Sequence, residues 1–171
     1  PEEINRMVTD SISDYFFTTS EVANNNLKRL GVCDDKIFFV GNTMIDTLLK
    51  HRPSFIKPNF FDKLNLTTKK YFVLTMHRPA NVDKLEKLKN YLITINDNVK
   101  NLKVIFPIHP RTKKILEKIS INIPNIFMVD PLPYFEFNYL VENSFCVITD
   151  SGGITEETTV MDIPCMTLRD N

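Results

Sequence analysis

The feature that most constrains how this chain folds is the alternation of short apolar runs with segments of helical periodicity. The apolar runs predict strands at residues 15–18, 36–40, 71–75, 103–106, 125–129, 145–149 and 164–168. The segments between them predict helices at residues 1–12, 20–30, 43–50, 81–100, 111–119, 134–141 and 152–161. Such alternation gives parallel strands joined by right-handed crossovers. Because the strands are apolar almost throughout, we predict an α/β fold with helices on both faces of a doubly wound parallel sheet.

Residues 51–70 interrupt this alternation. They contain Pro53 and Pro58 and have weak periodicity, which is typical of a connection between domains with room for one helical turn. We therefore expect a first domain with the connection at residues 1–58 and a second domain at residues 59–171. The chain starts at Pro1 and stops just after a predicted strand, so we expect it to be a piece of a longer protein.

Composition argues against several classes of protein. Lys and Arg together number 21, as do Asp and Glu, so bulk charge does not favour a nucleic acid as partner. No apolar run reaches the ~20 residues that span a bilayer, and no secretory signal is visible. Three widely spaced cysteines without a CxxC or Cys/His cluster indicate reduced core residues and no metal site. We therefore expect a cytoplasmic protein that has no contact with a membrane.

The most informative motif is Ser151-Gly152-Gly153, which lies between a predicted strand and a predicted helix. Glycines let a ligand approach the backbone closely, and free N–H groups at a helix start favour an anion. Ser151 adds a hydroxyl donor, and Glu157 lies further along the helix, where a carboxylate suits ribose hydroxyls. A tight turn without a ligand also fits this stretch taken alone. The motif is neither GxGxxG nor a Walker sequence, so neither of those binding modes is indicated.

Three other predicted strand ends carry polar or aromatic groups. His77-Arg78 and His109 with Arg111 follow successive strands, and such groups suit a diphosphate because Arg offers forked donors and His can move a proton. Each pair also fits a plain surface loop, and His109 fits a supporting or turn residue better than a catalyst. The third end, residues 131–137, is a turn of prolines and aromatics that suits a flat base or simply packs its helix onto the sheet.

Together these motifs resemble the non-hydrolysing UDP-N-acetylglucosamine 2-epimerases along nearly the whole chain. PEEINR resembles the family's PEExNR segment, VGNTMIDTLL its VGNxxxD stretch, and TMHRPANVD its HRxEN motif. PIHPRT resembles its strand-end His, DPLPYFEFNYL its PxxYxxFxxL turn, and TDSGGITEE its SGGxxEE signature. The resemblance implies a GT-B fold of two Rossmann-like doubly wound parallel-sheet halves, here incomplete. Residues 1–58 would hold the C-terminal part of the N-terminal half, and residues 59–171 most of the UDP-binding half.

The resemblance also implies the chemistry. The family interconverts UDP-GlcNAc and UDP-ManNAc by eliminating UDP and adding it back, and so supplies ManNAc units for surface polysaccharide. It needs neither a nicotinamide cofactor nor a catalytic metal, and the full-length protein would be a homodimer.

The roles of individual residues follow from the same motifs. His77 would be the catalytic residue that assists the leaving group, and Arg78 and His109 are candidates for a second, activating nucleotide site. The Ser-Gly-Gly turn would bind the UDP phosphates, the glutamate the ribose, and a Leu and a Phe the uracil. These implied substrate-binding residues are Leu132, Phe137, Ser151, Gly152, Gly153 and Glu157.

The sequence also departs from the family pattern. Ala80 stands where the HRxEN motif has its glutamate, and the resemblance implies that acidic proton-transfer residues precede Pro1. We therefore expect the 171-residue piece itself to be inactive. Three other hypotheses about function stay open: a hydrolysing UDP-GlcNAc 2-epimerase, a GT-B glycosyltransferase, and a degenerate UDP-sugar-binding protein.

Overall fold

The computed structural model describes residues 2–116 and 121–168, and the chain divides into two compact units, Pro1–Lys50 and His51–Asn171. The first unit contains, in chain order, α1 (Glu2–Ile12), β1 (Phe16–Thr18), α2 (Glu21–Arg29), β2 (Ile37–Phe39) and α3 (Thr43–His51) up to its last residue, His51, with which the second unit begins. The second contains α4 (Phe60–Lys63), β3 (Tyr71–Thr75), α5 (Pro79–Val82), α6 (Leu85–Asn98), β4 (Lys103–Pro107), α7 (Pro110–Leu116), β5 (Ile126–Val129), α8 (Tyr134–Asn143), β6 (Cys146–Thr149), α9 (Gly152–Val160) and β7 (Cys165–Thr167).

In the first unit, β1 and β2 form a parallel pair with Phe17 opposite Phe38. Helix α2 connects them and begins after Ser20, whose side-chain oxygen accepts a hydrogen bond from Ala23 N at 3.2 Å. That bond satisfies one of the N–H groups that a helix start leaves without a partner. Just past the helix, Gly31 has φ +87°, a conformation that glycine adopts without steric cost and that commonly ends helices.

The second unit is built on a five-stranded parallel sheet with the strand order β5-β4-β3-β6-β7. From β3 the chain steps outward to β4 and β5, then crosses back to β6 and continues outward to β7 on the other side. The order reverses between β3 and β6, as it does in nucleotide-binding Rossmann folds. The α/β fold class with parallel sheets is confirmed, and each predicted strand is found to within two residues at either end.

The core of the second unit forms where α6 packs on the sheet. Leu88, Leu92 and Ile95, which share one helix face, are buried together with Leu74 of β3 and Phe106 of β4. Each side chain of this size contributes about 1.5–3 kcal/mol by leaving water. This packing holds β3 and β4 rigidly, and with them the loops that follow their carboxyl ends.

The helix predicted at residues 81–100 is instead two helices, α5 and α6. Pro79 starts the first of them two residues earlier than the apolar pattern indicates, since proline is favoured in the first turn of a helix. Lys84 then has extended backbone angles, φ −95° and ψ 98°, which break the helix before Leu85. Of the helix predicted at residues 111–119, residues 117–119 lie outside the described part of the chain. None of the described helices is long and apolar enough to cross a membrane.

Residues 51–70, expected to be a connection, belong to the second unit. The side chain of Arg52 donates to Glu142 at 2.6 Å, and Ile56 N donates to Phe135 O at 3.3 Å, so the segment is bonded to α8. In α4, the buried ring of Phe61 packs edge-on against Tyr71 at 5.7 Å. The division between the compact units therefore falls between Lys50 and His51, before the boundary expected near residue 58.

Candidate functional site

The reversal of strand order places the candidate site at the carboxyl ends of β3 and β6. These strands are direct neighbours, with Thr75 opposite Thr149 in their last register pair. The loop after β3 leads to one side of the sheet and the loop after β6 to the other, so a crevice opens between them. His77 and Arg78 come from the first loop, and Ser151 comes from the second. The structure thus brings together two motifs that lie far apart in the sequence.

Asp150 joins these two loops. Its side chain is fully buried and accepts hydrogen bonds from the backbone N–H groups of His77, at 3.1 Å, and Arg78, at 3.0 Å. Asn81 Nδ2 donates to the same carboxylate at 3.0 Å and to Leu168 O, just beyond β7, at 3.2 Å. A buried charge needs such partners, because an uncompensated carboxylate is costly inside a protein. The sequence-based prediction assigned Asp150 no role, although an acid directly after a largely apolar strand was a usable signal.

His77, predicted to be catalytic, is held by the same carboxylate. Its ring atom Nδ1 lies 2.9 Å from Asp150 Oδ1, while 61% of its side chain remains exposed. One edge of the imidazole is therefore anchored in the protein and the other faces solvent at the mouth of the crevice. This placement suits a group that must reach a ligand from a fixed position.

The Ser-Gly-Gly turn opens α9 at the other wall of the crevice. Ser151 has extended backbone angles and precedes the helix, and its N–H donates to Thr149 Oγ1 at 3.0 Å. Gly152 and Gly153 form the first turn, where backbone N–H groups have no partner within the helix. These groups and the positive end of the helix dipole favour an anion, as the sequence predicted for the phosphates.

Glu157 lies further along α9 and is almost fully buried, with 7% exposure. It accepts a long hydrogen bond, 3.4 Å, from the hydroxyl of Tyr134 at the start of α8. Burial raises the pKa of Glu157, and the Tyr134 bond offsets part of that rise. Burial also raises the pKa of Tyr134, with the neighbouring Glu157 charge adding to the effect. The contact brings the start of α8 beside α9. The sequence alone did not predict that Tyr134 would contact Glu157.

The residues predicted to contact a base lie in the turn and helix after β5. Leu132 is half-buried in the turn, and Phe137 is half-buried in the first turn of α8, where its N–H donates to Pro133 O at 2.9 Å. The contact between Tyr134 and Glu157 brings this segment to the same wall as the Ser-Gly-Gly turn. A flat group held here would lie beside a ribose held by Glu157.

The residues predicted for a second nucleotide site follow neighbouring strands. Arg78 is half-buried just after β3, and His109 is exposed just after β4, the strand paired with β3. Both therefore lie at the carboxyl edge of the sheet, and their joint role stays a prediction. Ala80 is exposed in α5, next to the buried Asn81. Within residues 2–116 and 121–168, no group of three His, Cys, Asp or Glu side chains is arranged to hold a metal ion.

Comparisons by sequence point to one group of proteins. Residues 1–171 match the family described as UDP-N-acetylglucosamine 2-epimerase. A UDP-N-acetylglucosamine 2-epimerase homolog of Methanococcus maripaludis is 43% identical, over 100% of this chain and 49% of its own length. The UDP-N-acetylglucosamine 2-epimerase of Methanocaldococcus jannaschii is 42% identical, over 100% of this chain and 50% of its own length. The chain thus spans about half the length of the curated relatives it matches.

Comparison of folds gives the same result. The crystal structure of Methanocaldococcus jannaschii UDP-GlcNAc 2-epimerase in complex with UDP-GlcNAc and UDP matches with a TM-score of 0.82 and 42% identity. The match covers 100% of this chain and 49% of that one. Structural neighbours of this kind are GT-B-type epimerases, of which this chain corresponds to one part.

Proposed function

The chain belongs to the UDP-N-acetylglucosamine 2-epimerase family, and from that premise we propose that it is the nucleotide-binding part of an isomerase that interconverts UDP-GlcNAc and UDP-ManNAc. The observation that carries the proposal is the meeting of two features at the carboxyl ends of the neighbouring strands β3 and β6. These are the start of α9, whose preceding residue makes no side-chain cap, and the anchored, outward-facing His77. A diphosphate has the charge and the size to meet both.

The reaction proceeds by elimination and re-addition. In elimination, a base removes the C2 proton of the sugar, the bond between C1 and the β-phosphate oxygen breaks, and its electron pair leaves with UDP. The products are a 2-acetamidoglucal and UDP, and re-addition with the proton on the opposite face of C2 gives the epimer. Charge accumulates on the β-phosphate as the bond breaks, so donors aimed at that oxygen accelerate the step.

Each site residue has a part in this scheme. Backbone N–H groups of Gly152 and Gly153 and the Ser151 hydroxyl bind the phosphates, and His77 donates a hydrogen bond to the leaving oxygen. The buried carboxylate of Glu157 accepts hydrogen bonds from the two ribose hydroxyls. A carboxylate that is desolvated by the protein gains most from such donors, which is the reason that burial suits this role.

The base-binding and accessory parts complete the proposal. Leu132 and Phe137 contact the uracil, and Arg78 and His109 belong to a second, activating nucleotide site. The full-length protein acts as a cytoplasmic homodimer, with UDP-ManNAc as its second sugar nucleotide and neither a metal nor a nucleic acid as partner.

The experiment is to incubate the full-length protein with UDP-GlcNAc and follow the products by NMR. We expect UDP-ManNAc to appear without accumulation of free UDP. Free UDP together with ManNAc would instead identify a hydrolysing epimerase. Sugar transfer that requires an added acceptor would identify a glycosyltransferase, and UDP binding without any conversion would identify a degenerate binding protein.

A further inference from the structure

The buried carboxylate of Asp150 joins two loops and also contacts the ring of His77. We propose that Asp150 is a positioning residue that holds the imidazole of His77 in its Nδ1–H form, so that Nε2 is the nitrogen that meets the ligand. The proposal rests on the proposed function only for the identity of that ligand. The anchored state of His77 is a property of the protein itself.

The hydrogen-bond partners fix which ring nitrogen is protonated. An ionised carboxylate has no proton to give, so every group at hydrogen-bond distance from it must be a donor. His77 Nδ1 lies 2.9 Å from Asp150 Oδ1 and must therefore carry a proton. In the neutral ring this leaves Nε2 as an acceptor, and in the protonated ring Nε2 becomes a donor.

Asn81 and the backbone hold the carboxylate in the orientation that this requires. The two protons of Asn81 Nδ2 reach Asp150 Oδ2, at 3.0 Å, and Leu168 O, at 3.2 Å, which fixes the amide. The N–H of Arg78 also donates to Oδ2, at 3.0 Å. With Oδ2 occupied in this way, Oδ1 is turned toward the His77 ring. An imidazole that is 61% exposed would otherwise be free to rotate.

This arrangement has a consequence for the chemistry. When the β-phosphate oxygen of UDP leaves the sugar, it needs a donor, and His77 can donate from Nε2 only as the imidazolium, in which Nε2 has taken a proton from solvent before the bond between C1 and oxygen breaks. The imidazolium formed is then paired with the Asp150 charge, which stabilises it in place. The proton remains on Nε2 throughout, and on re-addition the hydrogen bond from Nε2 weakens as the oxygen gives its electron pair to the new bond with C1.

The first test needs no ligand. The chain contains three histidines, His51, His77 and His109, so two-bond ¹H–¹⁵N NMR of the rings can be read for each. Assignment follows from the signals lost in the His77→Gln variant. At a pH where the rings are neutral, we expect His77 to show a protonated Nδ1 and an unprotonated Nε2. A protonated Nε2 with a bare Nδ1 in the unmodified protein would overturn the proposal, whatever any variant does.

The matched variant is Asp150→Asn, which keeps the size of the side chain. Its carboxamide oxygen should stay with Arg78 and Asn81, which turns its NH₂ group toward His77 Nδ1. We expect the ring to change to the Nε2–H form. The control is Asp130→Asn, the same change in a side chain that is 89% exposed beyond β5. An unchanged His77 tautomer in a folded Asp150→Asn protein would contradict the proposal.

Activity of the full-length protein separates positioning from a merely structural role. We expect Asp150→Asn to lower kcat about 100-fold, as misplacement of a reacting group does, with little change in KM. A rise in KM at unchanged kcat would contradict the proposal. If the unmodified protein does not convert UDP-GlcNAc, the proposed function fails, and the tautomer of His77 still decides whether Asp150 positions it.

Discussion

Asp150 and Glu157 are two buried carboxylates on either side of the start of α9, and the protein treats them in opposite ways. Asp150 is 0% exposed and accepts hydrogen bonds from His77, Arg78 and Asn81 at 2.9–3.2 Å. Glu157 is 7% exposed and accepts a long bond, 3.4 Å, from Tyr134. The negative charge of the first is compensated within the protein. The charge of the second is desolvated and only weakly compensated within the protein, and we propose that the ribose hydroxyls of UDP complete its hydrogen bonds.

The difference separates a group that builds the site from a group that we propose binds the ribose. Breaking a buried, well-compensated charge leaves its donors stranded, so the loss appears as lost stability. Removing a poorly compensated charge does not destabilise the protein without ligand, so the loss appears as weaker ligand binding. We therefore expect substitution of Asp150 to lower stability more than ligand affinity, and substitution of Glu157 to lower ligand affinity more than stability.

The largest expected effect is on stability at Asp150. Asp150→Ala strands the N–H groups of His77 and Arg78 and the amide of Asn81, and we expect the free energy of unfolding to fall by about 3–5 kcal/mol. Urea unfolding followed by circular dichroism measures it. Asp130→Ala, at an exposed carboxylate, should change stability by no more than about 0.5 kcal/mol. Equal effects of the two changes would mean that the network around Asp150 stabilises nothing.

The next effect is on affinity at Glu157. Glu157→Ala leaves the ribose hydroxyls of UDP without their acceptor, and we expect binding by the full-length protein to weaken by about 1–3 kcal/mol. Isothermal titration calorimetry with UDP measures the change. Glu156→Ala is the matched control, because Glu156 is the exposed acid one position earlier in α9. Unchanged affinity after Glu157→Ala would remove Glu157 from the nucleotide site.

Whether a feature could be predicted from the sequence depends on how far apart in the chain the residues that determine it lie. Strands, helices and the motifs at strand ends follow from local patterns, so His77, Ser151 and Glu157 could be singled out from residue order alone. The pairing of β3 with β6 is set by packing across the whole sheet, and it decides which motifs meet. Asp150 was missed because its partners lie 69–73 positions earlier in the chain. No local pattern carries that information.

The break between α5 and α6 was missed for a related reason. The apolar residues after Asn81 keep helical spacing, and the helix pattern therefore continues through Lys84. The bond from Asn81 to Asp150 holds the short α5 against the end of β6, and a fresh helix then begins at Leu85. Here a tertiary hydrogen bond overrides local periodicity, as it commonly does near binding sites.

A smaller effect is expected at Glu157, in the way that thermal stability depends on pH. Burial raises the pKa of Glu157 above its ordinary value of 4.5, so the folded protein binds this proton more tightly than the unfolded chain does. The associated stability is fully present below pH about 4.5 and is lost as the pH rises through the raised pKa. We expect Glu157→Gln to melt at a higher temperature than the unmodified protein at neutral pH, with the difference shrinking toward pH about 4.5. A difference that does not vary with pH, or that matches Glu156→Gln, would contradict this.

The smallest effect should come from the hydroxyl of Tyr134. Tyr134→Phe removes the 3.4 Å bond to Glu157, and a bond of that length should contribute less than about 1 kcal/mol to stability. Because the bond lowers the pKa of Glu157 against the effect of burial, its loss should move that pKa upward, as read from the carboxyl ¹³C shift during a pH titration. Tyr15→Phe, in an exposed tyrosine of the first unit, should leave the Glu157 titration unchanged. A downward shift in Tyr134→Phe would mean that Tyr134 shields the carboxylate from water more than it bonds to it, and would contradict our proposal that the Glu157 carboxylate is kept desolvated for a ribose.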